Sequence, residues 1–236
     1  MDLSEINFAV LVASLIVAST PLVLAALGEL IVEKAGVLNL GVEGMMIIGA
    51  VAGFIVGVET GSAYIGMMAA AMAGALLSLL FAFIILIMQA NQVASGLALT
   101  IFGLGIAALM GHPYTGIKSP QISTISIPFI SEIPVLGTMF FQHDLIVYLS
   151  LISVLVIWYF LNRMRAGLIL RSVGEDHDVA HSLGYRVVTI RFLAITFGGA
   201  MAGVGGGYLS LVRVPQWTEG MTCLLYTSDA ADEGHC

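Results

Sequence analysis

Charge is scarce: the 236 residues include 8 Lys and Arg and 15 Asp and Glu, 10% in all, against roughly 25% in an ordinary soluble domain. So little charge cannot cover a water-facing surface, which excludes that class. Cysteine is nearly absent, and Cys223 and Cys236 both stand near the C-terminal end. Nothing upstream can therefore form a disulfide, a cysteine metal site or a redox pair. No basic tract occurs, so a nucleic-acid partner is not expected. The net charge of −7 decides little, because orientation in a membrane depends on where Lys and Arg fall.

What remains is apolar. Hydrophobic residues make up 59% of the chain and the mean hydropathy is +1.03. Runs such as Phe8 to Leu27 and Tyr64 to Met88 exceed the roughly 18 residues that separate a spanning helix from a buried core helix. The fold expected is all-α, a polytopic transmembrane helical bundle with spans at 6–28, 37–58, 62–88, 93–110, 144–161 and 191–212. Met1-Asp2-Leu3-Ser4-Glu5 is acidic where a secretory signal needs a basic start, so the first span reads as retained.

Two connections are long. Gly111 to His143 carries Pro113, Pro120, Pro128 and Pro134, a spacing that forbids a continuous helix. Asn162 to Ile190 carries Arg163, Arg165, Arg171 and Arg186, with Arg191 at its edge. The positive-inside rule makes that second loop, 162–190, cytoplasmic. Lys34 then falls inside as well, while Lys118 and Arg213 fall outside. Tyr64, Tyr148, Trp158 and Tyr159 stand at span ends, as interfacial anchors do.

Residues 223–236 break the pattern. Cys223-Leu-Leu-Tyr-Thr-Ser-Asp-Ala-Ala-Asp-Glu233 looks like the translation of a transposase adapter used in building sequencing libraries. Residues 1–222 are thus expected to form one transmembrane domain and 223–236 a non-native tail, the natural chain continuing past Thr222.

Gly49, Gly53 and Gly57 repeat every four residues in the second span, as do Gly199, Gly203 and Gly207 in the sixth. Small residues at that spacing form a groove on one helix face and permit close helix approach; taken singly, each is ordinary packing. Polar groups at membrane depth are costly and usually face a cavity. Asn39 and Glu43 are one turn apart at the start of the second span and would share a face, with Glu43 the sharper candidate and the sole plausible ion-coupling carboxylate. Gln89, Asn91, Gln92, Ser95 and Thr100 add uncharged donors and acceptors around the start of the fourth span. Amides and hydroxyls suit a neutral, hydroxyl-bearing solute better than an ion; tying helices together is the equally open alternative. In the arginine-rich loop, Glu175 and Asp176 suit the start of a short helix and Gly184 its left-handed end. His177 and His181 are four apart, but with no third ligand they do not make a metal site. No nucleotide loop occurs, and no cofactor is expected.

Two segments, Glu33-Lys-Ala-Gly-Val-Leu-Asn-Leu-Gly-Val-Glu-Gly-Met-Met46 and Leu170-Arg-Ser-Val-Gly-Glu-Asp-His-Asp-Val-Ala-His-Ser-Leu-Gly184, resemble permease subunits of bacterial ATP-binding-cassette importers in the branched-chain amino acid and simple-sugar/nucleoside superfamily. Ala90 to Leu99, Ile133 to Gly137 and Trp217 to Thr222 are most similar to its nucleoside/simple-sugar branch. The resemblance covers residues 1–222. It implies a permease in the bacterial inner membrane, without catalytic activity of its own. Gly174, Glu175, Asp176, Ala180 and Gly184 would form a coupling helix docking on a cytoplasmic ATP-binding subunit. His181 departs from the small residue common there. A second permease subunit, an extracytoplasmic solute-binding protein and membrane lipid are the other implied partners. The expected activity is import of a small polar solute, a nucleoside or simple sugar, by alternating access. An ion-coupled secondary transporter is the rival reading; an intramembrane enzyme lacks any nucleophile with its base.

Overall fold

The computed structural model describes residues 8–120, 125–126, 142–218 and 221–222. Pro128, Pro134, the Ile133 to Gly137 stretch, Glu219, Gly220 and the 223–236 tail lie outside them. Six helices among the described residues are long and apolar enough to cross a membrane, and the chain is an all-α polytopic bundle. In chain order the helices are α1 (Phe8–Lys34), α2 (Val42–Thr60), α3 (Ala63–Ala82), α4 (Gln92–Gly111), α5 (Leu145–Arg163), α6 (Arg165–Glu175), α7 (His177–Ser182) and α8 (Val187–Tyr208). The ends of α3 and α8 widen into π-turns, Phe83–Ile87 and Leu209–Arg213. Two-residue strands Ile125–Ser126 and Gln142–His143 pair antiparallel.

The boundaries follow local chemistry. The first span runs through Lys34 rather than ending at 28, since Glu29 and Glu33 interrupt the apolar text without breaking the helix. Pro21 inside α1 is tolerated, as prolines often are in spans where neighbouring helices take up freed backbone groups. The second span starts at Val42 and not 37, because Gly36 adopts the left-handed region (φ 77°) and the chain turns before α2 begins. Gly61 (φ 67°) ends α2 the same way. The Asn91 side chain caps α4 by accepting from the amides of Val93 and Ala94 at 3.0 and 3.1 Å.

α2 is the central helix: 61% of its apolar window is buried, against 28 to 39% for the other spans. It packs with α3 and α8 through glycine. A Cβ at Gly49 would lie 2.5 Å from Gly203 Cα, one at Gly66 would lie 2.5 Å from Gly53 O, and one at Gly74 would lie 2.8 Å from Gly203 Cα. Gly207 and Gly199 abut Ala70 and Ser78 of α3, and Gly57 abuts Leu211. The two glycine rows therefore meet each other and a third row on α3. Backbones this close gain dispersion contacts where lipid supplies no hydrophobic drive for helices to associate.

On the face that carries the end of α4, the chain after Gly111 folds back over the segment following α8. Trp217 is 1% exposed and lies directly on Gly111. Ser119 N–H donates to Pro215 O at 3.1 Å, and its hydroxyl to Leu211 O at 2.9 Å.

Candidate functional site

The connection between α1 and α2, residues 35–41, gathers bonds from most of one end of the molecule. Arg191 Nε of α8 donates to Ala35 O at 3.0 Å. Gly36 packs against Gly174 near the end of α6, where either Cβ would meet backbone: one added at Gly36 would lie 3.0 Å from Gly174 Cα, and one at Gly174 would collide with Lys34 O. Leu38 N–H donates to Gln92 Oε1 at 2.9 Å, and Thr100 Oγ1 donates to Leu40 O at 3.1 Å, so two side chains of α4 hold the connection from another side. Asn39 N–H donates to Glu29 Oε1 of α1 at 3.2 Å, and Asn39 Oδ1 accepts from Gly41 N–H at 3.0 Å. A backbone fixed by both neighbours and side chains in this way moves with them or not at all.

Beside that connection lies a cleft of about 430 Å³, lined by Leu22, Ala25, Ala26, Glu29, Asn39, Leu40, Val42 and Glu43. Its volume is within the usual range for small-molecule sites. Asn39 and Glu43 are 3% and 6% exposed. The sequence reading put both on one helix face; instead Asn39 precedes α2, and it is the turn through Gly41 that brings it beside Glu43. Gln92, Ser95, Thr100 and Asn91 do not line this cleft. Asn91 caps α4, Gln92 and Thr100 bind the connection, and Ser95, half-buried, gives its amide to Asn91 O at 3.0 Å.

Glu29 was missed from sequence. It corrects the expectation that Glu43 stands alone as a carboxylate at depth: both line the cleft, and Glu29 Oε2 is buried without a hydrogen-bond partner among the described residues. The signal was present, a lone acid between Ala25-Ala26-Leu27-Gly28 and Leu30-Ile31-Val32, but it disappears if the span is ended at 28.

In the arginine-rich segment, two helices replace the single short one expected. Glu175 is the exposed last residue of α6 rather than the start of a helix. Asp176 makes the break: extended backbone carries its Oδ1 to the amides of Asp178 and Val179, both at 3.0 Å, and α7 starts there. Ala180 is 1% exposed against Val173 and Val187. Gly184 (φ 87°) turns the chain out, with Tyr185 N–H donating to Ala180 O at 3.2 Å. His177 lies 3.5 Å from Asp178, and no group of three potential metal ligands occurs among the described residues.

Comparison with known proteins agrees with this architecture. Residues 11–228 match the family model for the branched-chain amino acid transport system / permease component. A Haloferax volcanii protein provisionally named a glucose ABC transporter permease protein is 40% identical over 209 residues, 87% of this chain and 64% of that protein. The guanosine ABC transporter permease protein of Bacillus subtilis is 35% identical over 230 residues, 91% of this chain and 71% of that protein. The nucleoside ABC transporter permease protein of Lactococcus lactis is 33% identical over 208 residues, 84% of this chain and 66% of that protein. The chain thus spans about two thirds of the length of these curated relatives. No solved structure matches it significantly.

Proposed function

The chain belongs to the family of permease components of the branched-chain amino acid transport system, and on that premise we propose that it is the membrane-spanning permease subunit of an ATP-driven importer for a nucleoside or simple sugar. ATP hydrolysis resides on a separate cytoplasmic subunit, which docks on the exposed Glu175, Asp176 and Gly184, while Gly174, packed on Gly36, and Ala180, 1% exposed, hold that segment to the bundle instead of meeting the partner. A second permease subunit completes the path, and an extracytoplasmic binding protein delivers solute to it. The membrane is the bacterial inner membrane, with the arginine-rich end inside.

The observation that carries this reading is the single connection 35–41, fastened at Gly36 to α6 and at Asn39 to the wall of the polar cleft. Movement imposed on α6 and α7 by the ATPase reaches Gly36 through backbone-to-backbone contact, with no flexible side chain between. The connection passes it on to Asn39, whose amide holds the Glu29 carboxylate, and so changes the shape of the cleft. Asn39, Glu29 and Glu43 offer amide and carboxylate partners to a hydroxyl-bearing solute. Rigid elements with two arrangements are what coupling at a distance requires.

The test is Glu175→Ala. This side chain is exposed at the end of α6, so insertion and folding should be unchanged while ATP-driven uptake falls. Uptake equal to wild type would contradict the docking assignment.

One observation favours a second reading. Two carboxylates in one cleft, one with an unpartnered oxygen, are what an ion-coupled secondary transporter would use. That reading predicts uptake that collapses with the ion gradients and ignores ATP.

A further inference from the structure

A second cavity, about 560 Å³, lies between the end of α5, α6 and the first half of α8, with Ile31 of α1 in its wall two residues along from Glu29 of the cleft. Its walls are apolar, formed among others by Ile157 and Phe160 of α5, Ile169 of α6 and Leu193 and Phe197 of α8. It opens laterally, for Leu193 is 64% and Phe197 41% exposed. At one end stand Met164, between Arg163 and Arg165, and Tyr185, beside Arg186. All three arginines are exposed. None is paired with a carboxylate among the described residues, whose single ion pair is His177 with Asp178. Of the acids on the surrounding elements, Glu33 is exposed on α1 two residues past Ile31 of the wall, and Glu175, Asp176 and Asp178 begin at the far end of α6, about 15 Å from Arg165 by helical rise.

We propose that this groove is a binding site for an anionic glycerophospholipid, with an acyl chain along the α5/α6/α8 walls and its phosphate held by Arg163, Arg165 and Arg186. Charge complementarity selects the occupant. Three exposed arginines, next in sequence to Met164 and Tyr185 of the wall and unpaired with any carboxylate among the described residues, match a lipid with an apolar tail and a negative head. α6 itself is built for the interface: Gly167, Leu170 and Val173 face the bundle, while Leu168 is 52% exposed on the other side. A second copy of the chain fits poorly, since a two-fold contact here would set like-charged arginines against one another. This inference depends only on the spanning bundle and is independent of the solute.

Native mass spectrometry of the full chain tests it, in detergent carrying equal amounts of phosphatidylglycerol and phosphatidylcholine with the same acyl chains. Each arginine near an anionic head contributes about fivefold, so wild type should retain phosphatidylglycerol in preference by tenfold or more. The triple variant Arg163→Gln, Arg165→Gln, Arg186→Gln should retain the two lipids about equally. Ala166→Trp and Leu193→Trp fill the groove from different walls with the arginines intact. Each should lose the bound lipid while keeping the wild-type thermal midpoint; two variants guard against misfolding of one. Equal retention of both lipids by wild type would overturn the proposal, as would a phosphatidylglycerol preference that survives both filling variants.

Discussion

Replacing Gly36 by alanine should disturb the protein in two ways, and the same replacement at Gly61 in only one. Both glycines occupy the left-handed region, at φ 77° and 67°. A Cβ there costs roughly 1–2 kcal/mol, so both variants are expected to lose about that much stability. At Gly61 no described residue lies within 4 Å of the added methyl. At Gly36 it would lie 3.0 Å from Gly174 Cα and O and 3.1 Å from an Arg191 guanidinium nitrogen. That is about 0.4 Å inside ordinary contact, and two of the three atoms are backbone, which cannot rotate away. Relief requires the connection and α6 to part, adding about 1 kcal/mol or more of overpacking cost. The assay pairs thermal midpoints of the purified protein with uptake and ATP hydrolysis by the reconstituted complex. Gly36→Ala should melt lower than Gly61→Ala, and it alone should move less solute per ATP consumed. If the two variants behave alike in both measurements, the Gly36–Gly174 contact transmits nothing and the reasoning fails.

Three further outcomes are expected. Gly203→Ala sets a methyl against the α3 backbone at Ala70 and Gly74 and should cost about 1–3 kcal/mol, whereas Gly105→Ala, with no described residue within 4 Å, should be neutral or slightly stabilising; unfolding midpoints in detergent decide. Thr100→Val keeps the shape but leaves Leu40 O without its hydroxyl donor. It should cost about 1 kcal/mol and lower the maximal uptake rate more than the apparent solute affinity, read from uptake against concentration. Burial pushes the Asp144 carboxyl above its ordinary range, so between the unfolded and folded pKa values the folded state binds the extra proton. Stability should therefore fall as pH rises from the unfolded value of about 4 up through the raised folded value. Asp144→Asn should flatten that slope, and a slope unchanged in the variant would assign it to another group.

The spans were legible because a spanning helix must be long and apolar throughout, and that pattern is local. Boundaries were less so. The start of α2 depends on Gly36 and the turn through Asn39 and Gly41, and nothing in apolar text marks where a left-handed glycine will be used. The two glycine rows could be read as packing faces, yet that Gly49 meets Gly203 and that Gly66 and Gly74 of α3 complete the junction is a matter of tertiary register. The cleft was half legible. Asn39 and Glu43 stood out by cost alone, but Glu29 did not, because its role comes from the fold bringing the connection back to α1. Gln92 and Thr100 looked like solute contacts because sequence cannot tell a polar side chain facing a cavity from one holding a neighbour's backbone. Asp176 shows the same ambiguity at smaller scale: it does begin a helix, but the residue before it ends another.

Uptake by sealed vesicles bearing the chain with the proposed ATPase, second permease and binding protein, and with ATP as the only energy source, tests the central claim most directly. With proton and sodium gradients dissipated, the account predicts accumulation of a nucleoside or simple sugar that persists and stops when ATP is withdrawn. Accumulation that collapses with the gradients and continues without ATP would contradict it and assign the Glu29 and Glu43 cleft to ion coupling.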